Sequence, residues 1–460
     1  MPLDVIVVGA GLSGLVTAYR LHRGGYAVQV LESAARPGGV IGSERDEGVL
    51  FERGPNSAMD TSGETLALID ELGLRNEHIE ASKSASRRYV VSGGRLVALP
   101  SSAGAFVSTP LFSAAAKLRL LAEPFVRRAP AQVEESISQF VRRRLGPEFL
   151  DYAVEPFISG IYAGDPCQLS LSAALPRLHE LEQRYGSLSI GAIRSARERR
   201  RRGGPPRLPA VSFSFRAGMQ TLTDALAAAL PVVRCGATVH RLQSRGDGTW
   251  TVETDRAGDS ALHARAVVLA LPAYGAASLV RPFASNAAGA LAEIDYAPVA
   301  VVVSAYRRAD VAHALDGFGF LAPAVERPRV LGTLFSSTMF AGRAAGGTVL
   351  FTTFLGGRRN PAQVTAPEGE LTQTVHEELV RLVGAGSAPL MSRVVRWPRA
   401  IPQYGFGHRE RIAALEQSER DHPGLFFCSN YRGGVSISDC VRRATEAAQA
   451  VGQRLAAPAR

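Results

Sequence analysis

The sequence has few of the features that mark secreted, disulfide-linked or metal-binding proteins. Its 460 residues include only four cysteines, Cys167, Cys235, Cys428 and Cys440. No two of them have a Cys-x-x-Cys or metal-ligand spacing, so the sequence indicates neither a disulfide framework nor a metal site and predicts reduced, mostly buried thiols. The first buried strand begins by residue 5, which leaves no room for a secretory signal. We therefore expect a cytoplasmic protein.

The sequence also lacks a long uninterrupted apolar run. Its longest uncharged stretch, residues 96–116, contains Pro100 and Pro110, which argues against a membrane-spanning helix. Residues 109–150 nevertheless combine helical apolar spacing with basic residues. This pattern is typical of a helix at a membrane interface and equally of an amphipathic helix that faces its own core. Peripheral attachment to the inner face of the cell membrane through residues 96–200 is therefore a hypothesis.

Acidic residues are fewer than basic ones, and the net charge is +10 with a pI near 9.8. The densest basic cluster is RSARERRRRGGPPR at residues 194–207. It is typical of a solvated helix end that enters a Gly/Pro linker, and binding to an anionic lipid or substrate is the alternative. Because the cluster has no interleaved aromatic residues and no nucleic-acid-binding signature accompanies it, we expect no nucleic-acid partner.

The start of the sequence has the pattern of a dinucleotide-binding site. Residues 5–32, VIVVGAGLSGLVTAYRLHRGGYAVQVLE, predict a buried strand, a glycine turn, a helix, a second strand and a terminal acid. Gly9 permits the tight turn, Gly11 lets the backbone approach a pyrophosphate, and Gly14 lets the helix pack on the strand. Glu32 is placed to accept the ribose hydroxyls. The predicted contacts are Gly9, Ala10, Gly11, Leu12, Ser13, Gly14, Glu32 and Ser33.

Further glycine turns favour FAD over NAD. Arg36, Gly38 and Gly39 add a second glycine-rich turn just after Glu32, and this turn resembles the RxGG element of FAD-dependent amine oxidases and their relatives. A polar turn, Gly54, Pro55, Asn56 and Ser57, is predicted to run beside the flavin ring. Val435, Ser436 and Ile437 follow a Gly-Gly pair and precede a helix predicted from Asp439. Their backbone N–H groups would face the pyrimidine end of the ring.

Two single residues complete the predicted cofactor site. Val239 is a candidate contact to the adenine, and Trp397 is a candidate wall of the flavin, although either residue could belong to the core instead. A second dinucleotide fingerprint is missing, because VGAGSAP at residues 383–389 lacks the third glycine and the acid and is interpreted as a helix end. Without a nicotinamide site, we expect oxygen or a membrane quinone to reoxidise the flavin, as in an oxidase.

Distant motifs resemble one family over nearly the whole length. They include SRRYVVSGGRLVALP, FISGIYAGDPCQLS, GFGFLAP, LGTLFSS, FTTFLGG, RWPRAIPQY and SNYRGGVSISDC, and with them the chain resembles the oxygen-dependent protoporphyrinogen oxidases. The resemblance implies an α/β fold, α+β overall, in three parts. These are a Rossmann-type FAD-binding domain (residues 1–85, 205–270 and 395–460), a mixed-sheet substrate domain (86–95 and 271–394) and a mostly helical, membrane-docking insertion (96–204).

The same resemblance implies a reaction and its substrate contacts. Non-covalent FAD would remove six electrons from a porphyrinogen in three two-electron cycles, and in each cycle O2 would become H2O2. No side chain would be catalytic, since the flavin is the hydride acceptor. Arg88 would pair with a propionate, and the adjacent Arg87 would take this role if the alignment with the family motif shifted by one residue. Leu321 and Leu334 would sandwich one pyrrole ring, Phe354 would stack on another, and a loop from Gly160 to Gly164 would approach the macrocycle.

The alternative functions differ from this one either in the substrate or in the class of protein. Coproporphyrinogen III, with four propionates rather than two, would need a wider and more cationic pocket than one arginine and several apolar residues provide, so protoporphyrinogen IX is favoured. A flavin amine oxidase or a carotenoid desaturase shares the FAD motifs, although the Ser-Gly-Gly-Cys attachment sequence of monoamine oxidases is absent. A non-catalytic flavin-binding scaffold is the alternative from a different class. A homodimer and a monomer are both open alternatives, as are oxygen and a quinone as the acceptor of the electrons.

Overall fold

The computed structural model describes residues 3–130, 133–201, 211–256 and 261–457. The strands are β1 (Leu3–Val8), β2 (Val28–Leu31), β3 (Ser43–Asp46), β4 (Val49–Glu52), β5 (Ala58–Met59), β6 (His78–Glu80), β7 (Arg87–Ser92), β8 (Arg95–Ala98), β9 (Ser212–Phe215), β10 (Val233–Arg234), β11 (Val239–Ser244), β12 (Trp250–Thr254), β13 (Ala261–Leu269), β14 (Tyr296–Arg307), β15 (Gly317–Leu321), β16 (Gly332–Phe335), β17 (Thr348–Gly356), β18 (Met391–Pro402) and β19 (Leu425–Phe427).

The helices alternate with these strands and are concentrated between β8 and β9. They are α1 (Leu12–Arg23), α2 (Glu64–Glu71), α3 (Ala103–Ser108), α4 (Ala114–Leu121), α5 (Ile137–Arg144), α6 (Pro147–Phe149), α7 (Glu155–Tyr162), α8 (Leu171–Ala174), α9 (Pro176–Tyr185), α10 (Leu188–Arg201), α11 (Gln220–Ala228), α12 (Ala273–Val280), α13 (Ser285–Ala292), α14 (Ser336–Met339), α15 (Glu368–Val383), α16 (His408–Asp421) and α17 (Ile437–Ala456). A π-helical turn, Leu150–Val154, joins α6 to α7.

The first sheet has the order β10-β2-β1-β13-β12-β11, and β19 also pairs with β13. β1 is parallel to β2 and β13, and β19 is parallel to β13. The central strands are mostly apolar and fully buried at residues 5–8, 28–31 and 266–269, as expected for parallel strands that helices cover. On one face α1 packs beside α17, where Thr17 Oγ1 lies 3.4 Å from Ala444 O. The predicted return of residues 424–455 to the first sheet is confirmed.

The second sheet has the order β18-β14-β17-β16-β15-β7-β8. Its strands are antiparallel except for β7 and β15, which run parallel, so the sheet is mixed, as predicted. Apolar residues of α15 pack on one face in a core cluster with Tyr89, Phe320 and Phe351. The apolar stretches at residues 298–306 and 348–356 lie in β14 and β17.

The domain boundaries stay a prediction, but two placements bear on them. The boundary at residue 395 falls inside β18, and α12 and α13 pack in a core cluster of the first sheet although the sequence assigns them to the substrate domain. Within the basic cluster, residues 194–201 end α10, and residues 202–207 lie outside the described residues. Among the described residues, none of the helices combines the length and apolar character needed to cross a membrane.

Buried ion pairs hold the helical segment together. Arg144 and Glu182 are fully buried, with Arg144 Nε 2.6 Å from Glu182 Oε1, and Arg144 Nη1 lies 2.7 Å from Glu123 Oε1. The Glu123 carboxylate also accepts the Leu188 N–H at 2.8 Å, at the start of α10. The four cysteines are free, as predicted. The expectation that the thiols are mostly buried is wrong, because Cys428 is buried, Cys235 and Cys440 are half-buried and Cys167 is exposed.

Candidate active site

The turn between β1 and α1 has the geometry that a dinucleotide phosphate requires. Gly9 has φ +104°, a value that favours glycine, and a Cβ on Gly14 would lie 2.0 Å from Gly9 O, so the helix packs directly on the turn. A Cβ on Gly11 would meet nothing within 4 Å, which leaves open space beside the turn. The α1 N-terminus has no side-chain cap and no acid in its first turn. Its free N–H groups therefore fit a phosphate.

Glu32 lies beside the same turn. Its carboxylate accepts the Ala10 N–H at 2.7 Å through Oε2 and the Ala34 N–H at 2.8 Å through Oε1. These bonds fix the carboxylate at the carboxyl end of β2, and Ser33 Oγ is 3.3 Å from Oε1. The Ala237 N–H donates to Glu32 O at 2.8 Å. Half-buried Val239 begins β11 two residues after Ala237, and its contact with the adenine stays a prediction.

The second glycine turn meets the first. The Gly38 N–H donates to Ala10 O at 2.8 Å, and a Cβ on Gly39 would lie 3.2 Å from Gly11 Cα. Arg36 Nη1 donates to Pro37 O at 3.0 Å and to Ile41 O at 2.9 Å. Its guanidinium therefore closes its own loop beside the phosphate position.

Three separate segments meet at the predicted flavin-ring end of the site. Trp397 Nε1 donates to Arg53 O at 2.7 Å, so the tryptophan borders the Gly54–Ser57 turn, in which Asn56 Nδ2 donates to Gly54 O at 3.1 Å. The Ser436 hydroxyl caps α17, because it accepts the Asp439 N–H at 3.1 Å. This cap starts the helix at Ile437, two residues before the predicted Asp439. Ser438 Oγ donates to Met59 O at 2.8 Å and ties the cap to the polar turn's segment.

Tyr404 is a residue that the sequence reasoning missed. Its hydroxyl accepts the Gly434 N–H at 2.8 Å and donates to Asn430 O at 2.7 Å, so it closes the Gly-Gly turn before Val435. Burial raises the pKa of Tyr404 well above its ordinary value, and the side chain is a neutral phenol. The RWPRAIPQY motif contains it, but nothing in that motif indicates a contact to the C-terminal turn.

One face of the second sheet carries the predicted substrate residues. Arg88 is opposite Gly319, and Gly319 is opposite Leu334. Leu321 is opposite Gly332, which is opposite Phe354. Since residues two apart along a strand share a face, Arg88, Leu321, Leu334 and Phe354 all point to the same side. Arg88 is exposed, lies 5.5 Å from the Phe318 ring centroid, and has no carboxylate partner within the described residues.

Gly160 faces this sheet from α7. A Cβ on Gly160 would lie 3.0 Å from Leu321 Cδ2. The prediction of a loop from Gly160 to Gly164 is wrong for its first three residues, because α7 continues to Tyr162 and ends at Ala163 with φ 46°. The sequence reasoning also missed Phe157 and Ile161, which are 49% and 38% exposed. They lie with Gly160 on the exposed side of α7. Their positions three residues before and one residue after Gly160 were the sequence pattern that could have indicated this shared side.

A small cavity lies between β4 with its following polar turn and the second sheet. It is lined by residues from both segments, among them Asn56, Ser336 and Thr352. Beside it, buried Glu52 of β4 pairs with buried Arg343, with 2.7 Å between Oε1 and Nη1. Burial raises the pKa of Glu52, an effect that Arg343 opposes. The pair joins the segment that precedes the polar turn to the substrate-side sheet.

Comparison with known proteins identifies the family. Residues 12–452 match the family described as flavin containing amine oxidoreductase. The chain belongs to this family. This membership confirms the prediction of a flavoprotein oxidoreductase with an FAD cofactor. The open glycine turn, Glu32 and the capped start of α17 form a site that fits FAD.

Relatives within the family share nearly the whole chain. A mitochondrial protoporphyrinogen oxidase of Nicotiana tabacum is 34% identical over 97% of this chain and 94% of its own length. A coproporphyrinogen III oxidase of Bacillus subtilis (strain 168) is 26% identical over 95% of both chains. A solved structure from Exiguobacterium sp. 255-15 has a TM-score of 0.82 at 23% identity, covering 98% of this chain and 99% of its own. This structural likeness confirms the predicted fold class.

Proposed function

We propose that the protein oxidises protoporphyrinogen IX to protoporphyrin IX in heme biosynthesis. Three O2 molecules would accept the six electrons and become three H2O2. The observation that carries the proposal is the single sheet face on which exposed Arg88 lies beside Leu321, Leu334 and Phe354. An apolar face with a cation near its edge suits a flat macrocycle that carries carboxylates.

The chain's own residues bind and orient the substrate. Arg88 would hold a propionate, and the leucines and Phe354 would cover the ring opposite Gly160 of α7. FAD, when bound, supplies the two-electron acceptor. The described site offers no histidine or carboxylate aimed at the apolar face, so the side chains would contribute position and exclusion of water.

Coproporphyrinogen III is the second candidate, favoured by the relatives from Bacillus subtilis and Propionibacterium freudenreichii subsp. freudenreichii that are named coproporphyrinogen III oxidases. Anaerobic flavin reduction with each porphyrinogen, followed by porphyrin fluorescence after air is admitted, distinguishes the two. We expect faster turnover of protoporphyrinogen IX. A clear preference for coproporphyrinogen III would reverse the choice, and reduction by neither would refute both.

Arg88 and Arg87 form a matched pair for testing the propionate contact. Arg87 Nη1 lies 2.5 Å from Asp316 Oδ2, whereas Arg88 pairs with no carboxylate in the part of the chain that the structure describes. We expect Arg88→Ala to raise KM about 10- to 100-fold, the loss of one charged hydrogen bond, with little change in flavin reduction at saturation. Arg87→Ala should leave KM unchanged. The assignment fails if Arg88→Ala has the KM of the wild type.

We also propose that the protein attaches peripherally to the cytoplasmic face of the cell membrane. Support comes from apolar side chains of the α3–α4 region that remain in solvent: Val107, Leu118, Leu121 and Phe125 are 72%, 67%, 74% and 89% exposed. Four large apolar side chains exposed within residues 107–125, with basic neighbours that include Lys117 and Arg119, suit an element at a membrane interface.

Sedimentation with vesicles tests the attachment. We expect the protein to bind vesicles of phosphatidylcholine and phosphatidylglycerol, and the variant Leu121→Asp/Phe125→Asp to lose binding. Val380→Asp on α15, where the side chain is 45% exposed, is the control. Equal loss in the control, or no binding by the wild type, refutes the proposal. The homodimer remains a prediction, which a solution mass of one or two copies of 48.9 kDa decides.

A further inference from the structure

Helix α7 is held against the sheet by a loop that follows a substrate strand. This loop, residues 357–360, comes directly after β17, the strand that carries Phe354. Gly160 of α7 packs against Leu321. The exposed side of α7, with Phe157 and Ile161, therefore forms a wall beside the apolar face of the sheet, and the contacts of the loop with α7 fix the position of that wall.

Arg359 makes the contacts at the first two turns of α7. Its Nη2 lies 2.5 Å from Glu155 Oε1 and 3.4 Å from Ser159 Oγ, and its Nη1 donates to Ala322 O at 2.8 Å. Ala322 is the residue after Leu321. One guanidinium thus joins α7 to the end of the strand on which Gly160 packs.

Glu155 completes this connection. Its second carboxylate oxygen accepts the Ala324 N–H at 2.9 Å. The side chains of Arg359 and Glu155 are only 21% and 11% exposed. Removing one of two partly buried, hydrogen-bonded charges leaves the other without compensation, so the pair resists displacement of α7.

The opposite end of α7 is held by the same loop. The Arg358 N–H donates to Ala163 O at 2.7 Å, and a Cβ on Gly357, which has φ +65°, would lie 2.7 Å from that oxygen. Both ends of α7 are therefore fixed to the loop that continues from Phe354.

We propose that Arg359, acting through Glu155, is a positioning residue that holds α7 against Leu321 as a wall of the substrate site. The inference rests on the proposed function, because the apolar face beside α7 is the porphyrinogen site. The hydrogen bonds of Arg359 within the described residues go to Glu155, Ser159 and Ala322 and to no segment of the FAD site, so its loss should alter substrate affinity and selectivity and leave the cofactor in place.

The test compares Arg359→Met with Arg329→Met in the FAD-loaded protein. Arg329 pairs with Glu377 and Glu378 on α15, on the other side of the same sheet, and is a matched control. We expect Arg359→Met to raise KM about tenfold with kcat and FAD affinity within about twofold, and to narrow the preference between the two porphyrinogens. Arg359→Lys should restore little, since an ammonium lacks the fork that reaches Glu155 and Ala322 together.

Two further measurements separate positioning from general destabilisation. Hydrogen exchange should increase in residues 155–163 of Arg359→Met and not in those of Arg329→Met. In a double-mutant cycle, Glu155→Gln with Arg359→Met should raise KM by less than the product of the single effects. Unchanged exchange in α7, unchanged KM, or an equal rise of KM in Arg329→Met would each overturn the inference. If the wild type oxidises neither porphyrinogen, the proposed function fails, and the exchange result alone decides whether Arg359 holds α7.

Discussion

At the scale of single residues, Gly14 is the position in the cofactor turn that has the least room for a side chain. A Cβ there would lie 2.0 Å from Gly9 O and 3.0 Å from Ala270 Cβ, both parts of the strand ends that α1 covers. Neither neighbour is a flexible side-chain end that could move aside. The helix would have to shift, and its N-terminal N–H groups would move with it.

We expect Gly14→Ala to weaken FAD binding by at least about tenfold and to lower the free energy of unfolding by about 1–3 kcal/mol, the usual effect of overpacking. Titration of the apoprotein with FAD and urea unfolding measure the two effects. Gly289→Ala in α13 is the control, because its Cβ would meet nothing within 4 Å. That variant should bind FAD normally and gain about 0.5–1 kcal/mol. Normal FAD affinity in Gly14→Ala would contradict the close packing.

The sequence predicted residues whose role follows from local backbone geometry. Gly9, Gly14 and Glu32 depend on a short strand-turn-helix spacing, which is visible in the sequence. Tyr404 was missed because its role depends on a distant partner. Tyr404 contacts Gly434, 30 residues later, and no local spacing encodes that contact.

At the scale of elements, Glu123 links the segments of the helical region. Burial alone would raise the pKa of Glu123, but hydrogen bonds from the Leu188 and Ser189 N–H groups and from the Ser187 and Ser189 hydroxyls outweigh it and hold this pKa at about 2. Because the folded pKa is depressed from an ordinary value of 4.5, the stabilisation is present above pH 4.5 and is lost as the pH falls toward 2.

We expect Glu123→Gln to lower the free energy of unfolding at pH 7 by about 2–3 kcal/mol. The difference from the wild type should shrink between pH 4.5 and 2, as urea unfolding at several pH values would show. Glu148→Gln is the control. Glu148 accepts the Ser113 N–H at 2.7 Å in a more solvated position, so its loss should matter less. A difference that stays constant with pH would refute this role of Glu123.

The helix end beside a glycine was predicted correctly for α15 but not for α7. α15 ends at Val383 before Gly384, as interpreted from the glycines of residues 383–389. The loop that the family resemblance implied from Gly160 to Gly164 was wrong for its first three residues. Burial of Ile158 and Tyr162 on one side of α7 outweighs the low helix propensity of Gly160.

At the scale of the whole molecule, the Glu52–Arg343 pair connects β4 to the segment between α14 and β17. Glu52 also accepts Ser43 Oγ at 2.5 Å and the Met219 N–H at 3.0 Å, and Arg343 donates to Ser214 Oγ at 2.5 Å. The pair is thus the centre of a buried polar network between segments far apart in sequence. Neither partner was singled out from the sequence, because a Glu and an Arg 291 positions apart carry no local signal.

We expect Arg343→Met to lower the free energy of unfolding by about 3–5 kcal/mol, because it leaves Glu52 buried without a counter-charge. Glu52→Gln/Arg343→Met should recover part of that loss. Urea unfolding of the FAD-loaded variants measures both. Arg393→Met, which breaks a more exposed pair with Asp46, should cost less than about 1 kcal/mol and serves as the control. A double variant no more stable than Arg343→Met would show that charge compensation is not the cause.

The contacts between the first and last parts of the chain, at the first sheet, also affect how the protein folds while the ribosome makes it. Thr17 and Ala444, which touch across α1 and α17, are 427 positions apart, and β13 receives β19 only after almost all of the chain has left the ribosome. Until then β13 has an unpaired edge and α1 an uncovered apolar side, the kind of surface that promotes aggregation. The nascent chain would therefore acquire its cofactor late, and the yellow colour of bound flavin would report that translation and folding are both finished.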